Sequence, residues 1–298
     1  MKRQTKENIQ IVIFFLIVVW LIFFYIVYPL NRTKAMMGRA DLDDYKERAD
    51  TLIANEAALW IQAAWTPDTF RVETDGLTSI AGLICVSLDS AIGTVILLHD
   101  DGENRDSVLS LALAFLSSNY SVVAYDQRAA GRSTGEYRGD GWLEGNDLTE
   151  IIAYLDLRHQ LTHPMTVVGF GAGADAAILS SLNENRIEAV VAMNPYLSSS
   201  RWLDILKTKH ETWWFPFFRT VMWWYYGLRS SYAAPYRELD NIQALKVPTM
   251  LFVEEPLLSD PEVLRLKELS SDTLLTLHPT PTDESGRLDR VLEFVAKR

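Results

Sequence analysis

The chain has 298 residues, 48% of them hydrophobic, and a formal net charge of −11. That length suits one α/β domain with an appendage, and the acidic balance excludes a nucleic-acid partner, because a phosphate backbone needs a basic face. Cys85 is the sole cysteine and the five histidines show no HExxH or similar spacing, so no disulfide, metal or cofactor is expected.

In chain order, residues 1–8 form a short tail and residues 9–30 a membrane anchor. Ile11 to Leu30 carries no charge and is mostly Ile, Val, Leu and Phe. Twenty helical residues span roughly 30 Å, the thickness of a hydrocarbon core. Tyr25 and Tyr28 sit near its end, where an aromatic belt is expected. A cleaved signal peptide is the competing reading, but its apolar region should be only about 7–15 residues, and Thr33-Lys34-Ala35 is a poor cleavage site. Lys2, Arg3 and Lys6 precede the span, and Arg32, Lys34 and Arg39 follow it, so the positive-inside rule does not assign a side. Residues 31–66 read as a helical linker, with Ile53, Ala57, Trp60 and Ala64 on one stripe.

From residue 67 the pattern changes. Phe70–Glu73 alternates and Ser79–Val86 is apolar, which suggests an opening antiparallel pair. Short apolar runs follow at Thr94–Leu98, Ser121–Tyr125, Met165–Gly169, Ala189–Met193, Thr249–Val253 and Thr273–Leu277, as expected of strands buried on both faces. Between them lie segments of helical length at Asp106–Ser117, Leu143–Leu157, Ala172–Leu182, Pro261–Leu269 and Ser285–Ala296. The alternation predicts crossover units and a mostly parallel sheet. One stretch, about 196–238, is too long for a connection and reads as an inserted subdomain.

Three segments, in order, carry a family resemblance. Val95-Ile96-Leu97-Leu98-His99 resembles a strand leading into an oxyanion loop. Asp126-Gln127-Arg128-Ala129-Ala130-Gly131-Arg132-Ser133 is similar to a D-x-R-G-x-G-x-S loop, and Gly141, Glu144 and Asp147 follow it. Val168-Gly169-Phe170-Gly171-Ala172-Gly173 resembles a nucleophile elbow. Together they resemble the α/β-hydrolase fold, and in particular its membrane-anchored bacterial branch, which implies residence in a plasma membrane. The implied architecture is a mostly parallel central sheet with flanking helices and an aromatic helical lid insert at 196–238, all within residues 67–298.

The resemblance also marks what is missing. An active elbow reads G-x-S-x-G, and its serine attacks while a histidine takes the proton and an acid orients the histidine. Here Gly171 holds the serine position, and glycine keeps a positive φ without steric cost. The candidate remnants of the triad are His278, which follows the last expected strand too early, and Glu255 or Asp260 after Thr249–Val253; the expected histidine position falls near Thr282. The oxyanion loop comprises His99, Asp100, Asp101 and the Ala172 amide, and a carboxylate there opposes oxyanion stabilisation. Asp126 and Arg128 are expected to brace the loops. A bare tight turn and a phosphate-binding glycine loop are the other readings of the elbow; the glycine spacing does not fit G-x-G-x-x-G.

The insert is rich in aromatics, including Trp213, Trp214, Phe217, Trp223 and Trp224. Read as a helix, Phe217, Val221, Trp224 and Leu228 form one face, and Phe218, Met222 and Tyr225 the next. Such a helix is buried or in lipid: a cap over the cleft, or a surface at the membrane interface or a membrane-protein partner. The expected function is that of a membrane-anchored pseudo-hydrolase with a binding or scaffolding role. The alternative is a hydrolase of a small ester, lipid or peptide with chemistry relocated to Asp100, Asp101, Ser133 or His99.

Overall fold

The computed structural model describes residues 2–38, 60, 65–87, 91–209, 218–230, 244–269, 274–281 and 283–298. It divides into two compact units, Met1–Gly38 with Ser200–Pro235, and Arg39–Ser199 with Tyr236–Arg298.

The larger unit is built on one eight-stranded sheet. β1 (Asp68–Thr74) and β2 (Thr78–Cys85) form a hairpin, followed by β3 (Thr94–Leu98), β4 (Ser121–Tyr125), β5 (Met165–Phe170), β6 (Ala189–Met193), β7 (Thr249–Val253) and β8 (Leu275–Pro279). The strand order is β1-β2-β4-β3-β5-β6-β7-β8. β2 runs antiparallel to both neighbours and every pairing from β4 to β8 is parallel. β3, β4, β6 and β7 are buried along their whole length, which is why their apolar runs are continuous rather than alternating.

Successive side chains divide between two cores, as strand geometry requires. Val123, Tyr125 and Val167 join one core with Leu148, Ile151, Ala177 and Val263. These last come from α4 (Trp142–Asp156), α5 (Ala172–Asn183) and α8 (Pro261–Leu269). Val122, Ala124 and Val168 join the other, with Phe115 and Phe294, from α3 (Leu109–Ser117) and α9 (Glu284–Ala296). Trp60 is buried in this second core; the rest of the linker stripe lies outside the described residues.

One strand departs from expectation. The last apolar run suggests an end at Leu277, yet β8 continues through His278 and Pro279, opposite Phe252 and Val253 of β7. At a sheet edge the ladder is set by register with the neighbour, so it extends beyond the apolar residues that advertise it.

The smaller unit begins with a long helix: α1 (Lys2–Ile22), a π turn at Phe23–Val27, and α2 (Tyr28–Met37). Asn8–Met37 is long and apolar enough to cross a membrane, and none of its most apolar stretch is buried. The unit also holds the helices of the insert, α6 (Ser199–Lys209) and α7 (Phe218–Ser230). Trp213, Trp214 and Phe217 lie outside the described residues.

Candidate functional site

The elbow is a backbone construction. β5 delivers the chain to Gly171, whose φ of 50° and ψ of −119° lie where side chains are strained. The Gly171 amide donates to the Met193 carbonyl at 2.9 Å, and its carbonyl accepts from the Ala174 amide at 2.9 Å. No side chain is needed to hold this turn, so it persists with glycine in place.

The volume beside Gly171 is occupied. A Cβ built on Gly171 would fall inside the Asp100 carboxylate. Asp100 Oδ1 accepts from the Asp101 amide at 2.6 Å, the Ala172 amide at 3.2 Å and the Tyr196 hydroxyl at 3.2 Å. Ala172 directly follows Gly171 and opens α5, and its N–H is spent on the protein's own anion. Burial raises the Asp100 pKa, the two amides partly offset this, and the neighbouring Asp101 and Glu103 charges add to it. Tyr196 is raised in turn by burial and by Asp100. Asp101 pairs with Arg138 at 3.1 Å. Sequence reasoning missed Tyr196; its signal was its position at the start of the insert, directly after a strand end.

The other candidates for relocated chemistry are engaged in structure. His99 is buried, with Nδ1 at 2.7 Å from the Asp100 carbonyl and Nε2 accepting from the Gln127 amide at 2.9 Å. Both ring nitrogens are thereby satisfied by backbone groups of opposite polarity, which fixes a neutral ring. Burial lowers its pKa accordingly. The Ser133 hydroxyl donates to the Asp126 carbonyl and accepts from the Ala81 amide.

The triad candidates do not assemble. His278 stands within β8 with its ring centroid 5.7 Å from that of Phe252. Burial, then Arg290, lowers its pKa. Among the described residues no hydrogen bond joins it to a carboxylate. Glu255 is exposed on a 3-10 turn, Glu255–Ser259, and Asp260 lies directly before α8. Where β6 and β8 end, Thr280 donates to the Asn194 side-chain carbonyl at 2.7 Å, a pair in which neither group is ionisable. Thr282 lies outside the described residues.

The loop after β4 is different in kind. Asp126 accepts from the Arg105 and Arg132 amides at 3.0 and 2.9 Å. Arg128 grips Asp147 of α4 through two hydrogen bonds of 2.7 Å and reaches Asp75 of the β1–β2 turn at 3.1 Å. Glu144 accepts from the Gly139 and Gly141 amides at 2.6 and 3.1 Å, and burial pushes its pKa up to about 7. A cavity of about 370 Å³ has Phe170, Met193, Val108 and Val291 in its lining, together with the polar Ser107 and Arg287. Among the described residues no group of three His, Cys, Asp or Glu side chains converges to hold a metal.

No protein-family model and no curated protein matches the sequence. Solved structures do match. An esterase from Pyrococcus furiosus superposes with a TM-score of 0.65 at 20% identity, over 80% of this chain and 93% of its own. The α/β hydrolase GrgF from Penicillium gives 0.58 at 15%, over 78% and 98%, and a hydrolase from Pseudomonas aeruginosa gives 0.57 at 16%, over 76% and 98%. With its mostly parallel eight-stranded sheet, flanking helices and elbow, the chain has the α/β-hydrolase fold.

Proposed function

We propose that this chain is a membrane-anchored α/β-hydrolase-fold protein without serine-hydrolase chemistry, acting in binding or scaffolding. One observation carries the reading: the Asp100 carboxylate lies on the Ala172 amide, in the space a nucleophilic side chain at Gly171 would need. A substrate carbonyl has neither an attacking group nor a free donor there, and an anion at that point opposes the charge that acyl transfer develops. The cavity walled by Phe170 and Met193 supports retention of a ligand, since its volume falls in the range of small-molecule sites.

The rival reading makes Asp100 itself the relocated catalytic carboxylate. Its raised pKa favours that reading, and the consumption of the Ala172 amide by the same oxygen counts against it. The test is a fluorophosphonate probe and a panel of simple esters on full-length protein in detergent. We expect neither labelling nor turnover. Turnover that disappears in Asp100→Asn or His278→Ala would overturn the proposal in favour of relocated chemistry.

A further inference from the structure

The anchor and the insert are far apart in sequence yet belong to one compact unit. α7 packs against α2. The α2 side of this contact is a single stripe, Pro29, Thr33, Met36 and Met37, all buried. On α7 the buried residues are Phe218, Met222, Tyr225 and Tyr226, and Tyr226 meets Trp202 of α6 with ring centroids 5.5 Å apart. The opposite side of α7 is uncovered: Trp224 is 59% exposed and Leu228, one turn on, is 61% exposed.

Depth follows from helix geometry. About twenty residues of helix cross the hydrocarbon, and the exposed apolar run starts at Ile9. The crossing is therefore complete near Tyr28, and α2 emerges through the headgroup layer, with Arg32 and Lys34 exposed on it. The helix that packs on α2 is held at that level. Tryptophan is the side chain best suited there, with an apolar body and one polar N–H.

Resting on the membrane-anchor reading above, we infer that the Trp224–Leu228 face of α7 is a second lipid contact, seated in the headgroup–acyl boundary beside the point where the anchor leaves the bilayer. The occupant of the uncovered face is the same bilayer. The geometry is that of an interfacial helix, here clamped to a spanning one rather than free.

The test uses full-length protein in phosphatidylcholine vesicles, with nitroxide labels on Trp224→Cys and Leu228→Cys. Phe14→Cys in the span and the 83%-exposed Leu157→Cys serve as references. Cys85 is buried, and its thiol is pushed up to about 11 by burial, so it stays silent. Collision with oxygen and with a water-soluble nickel chelate is measured at each label. The expected result is oxygen-rich labels at both α7 positions, with nickel access several-fold lower than at Leu157. Nickel access equal to that at Leu157, with Phe14 in lipid, overturns this inference alone. Shielding of the α7 labels from both reagents assigns the face to a protein contact and also overturns it. An aqueous signal at Phe14 overturns the anchor reading and this inference together.

Discussion

The loop after β4 and the turn after β5 flank β3 on either side, and they are held in different ways. In the loop, side chains do the holding: Asp126 and Arg128 are buried, Asp126 accepts from the Arg105 and Arg132 amides, and Arg128 ties the loop to α4 and to the β1–β2 turn. In the elbow, backbone does the holding, through Gly171, Met193 and Ala174. A loop held by named charges depends on those side chains. A turn closed by main-chain hydrogen bonds does not depend on a side chain for its shape.

The contrast predicts a hierarchy of costs. Arg128→Ala leaves Asp147 buried without its partner, and removing one half of such a pair costs about 3–5 kcal/mol. We expect a fall in melting temperature of roughly 10 °C, readable by calorimetry; an unchanged melting curve would mean that the loop does not brace the domain. Gly171→Ser comes next. Backbone strain alone suggests about 1 kcal/mol, but the Asp100 carboxylate adds an overpacking cost of about 1–3 kcal/mol. Combining it with Asp100→Gly should recover most of the second part, a non-additivity that a double-mutant cycle on urea melts will detect. Simple addition of the two single effects would show that residues 100 and 171 do not share one space.

The smallest expected effect is a pH slope. The folded state raises Glu144 from 4.5 to about 7, so it favours the neutral carboxyl. Stability from this group is present below pH 4.5 and is lost as pH rises through about 7. Glu144→Gln should flatten the stability profile between those limits. Asp100 and Asp147 are raised as well, so part of the slope will remain. An identical profile in the variant would place the titration elsewhere.

The strands were legible because burial on both faces leaves continuous apolar runs, and Thr94–Leu98, Ser121–Tyr125, Ala189–Met193 and Thr249–Val253 have the bounds that their runs suggest. The glycine at the turn after β5 was legible too, since it stands in a local motif. The side chain that fills the space beside it was not. Asp100 and Gly171 are 71 positions apart, and an aspartate in a loop signals only a charge, not the direction in which it points. That His278 lies within β8 rather than after it was not legible either, because edge-strand length is set by the partner strand rather than by its own residues.

The two margins of the sheet carry a further consequence, for association between copies of the chain. A bare strand edge invites pairing with another molecule. Among the described residues β1 bonds to β2 alone, and from Thr69 on it alternates exposed and buried positions, with Arg71 and Glu73 on its exposed side. β8, at the far margin, ends on Pro279, which has no N–H to donate. Each margin thus carries its own deterrent to intermolecular strand pairing, charge at one and a missing donor at the other.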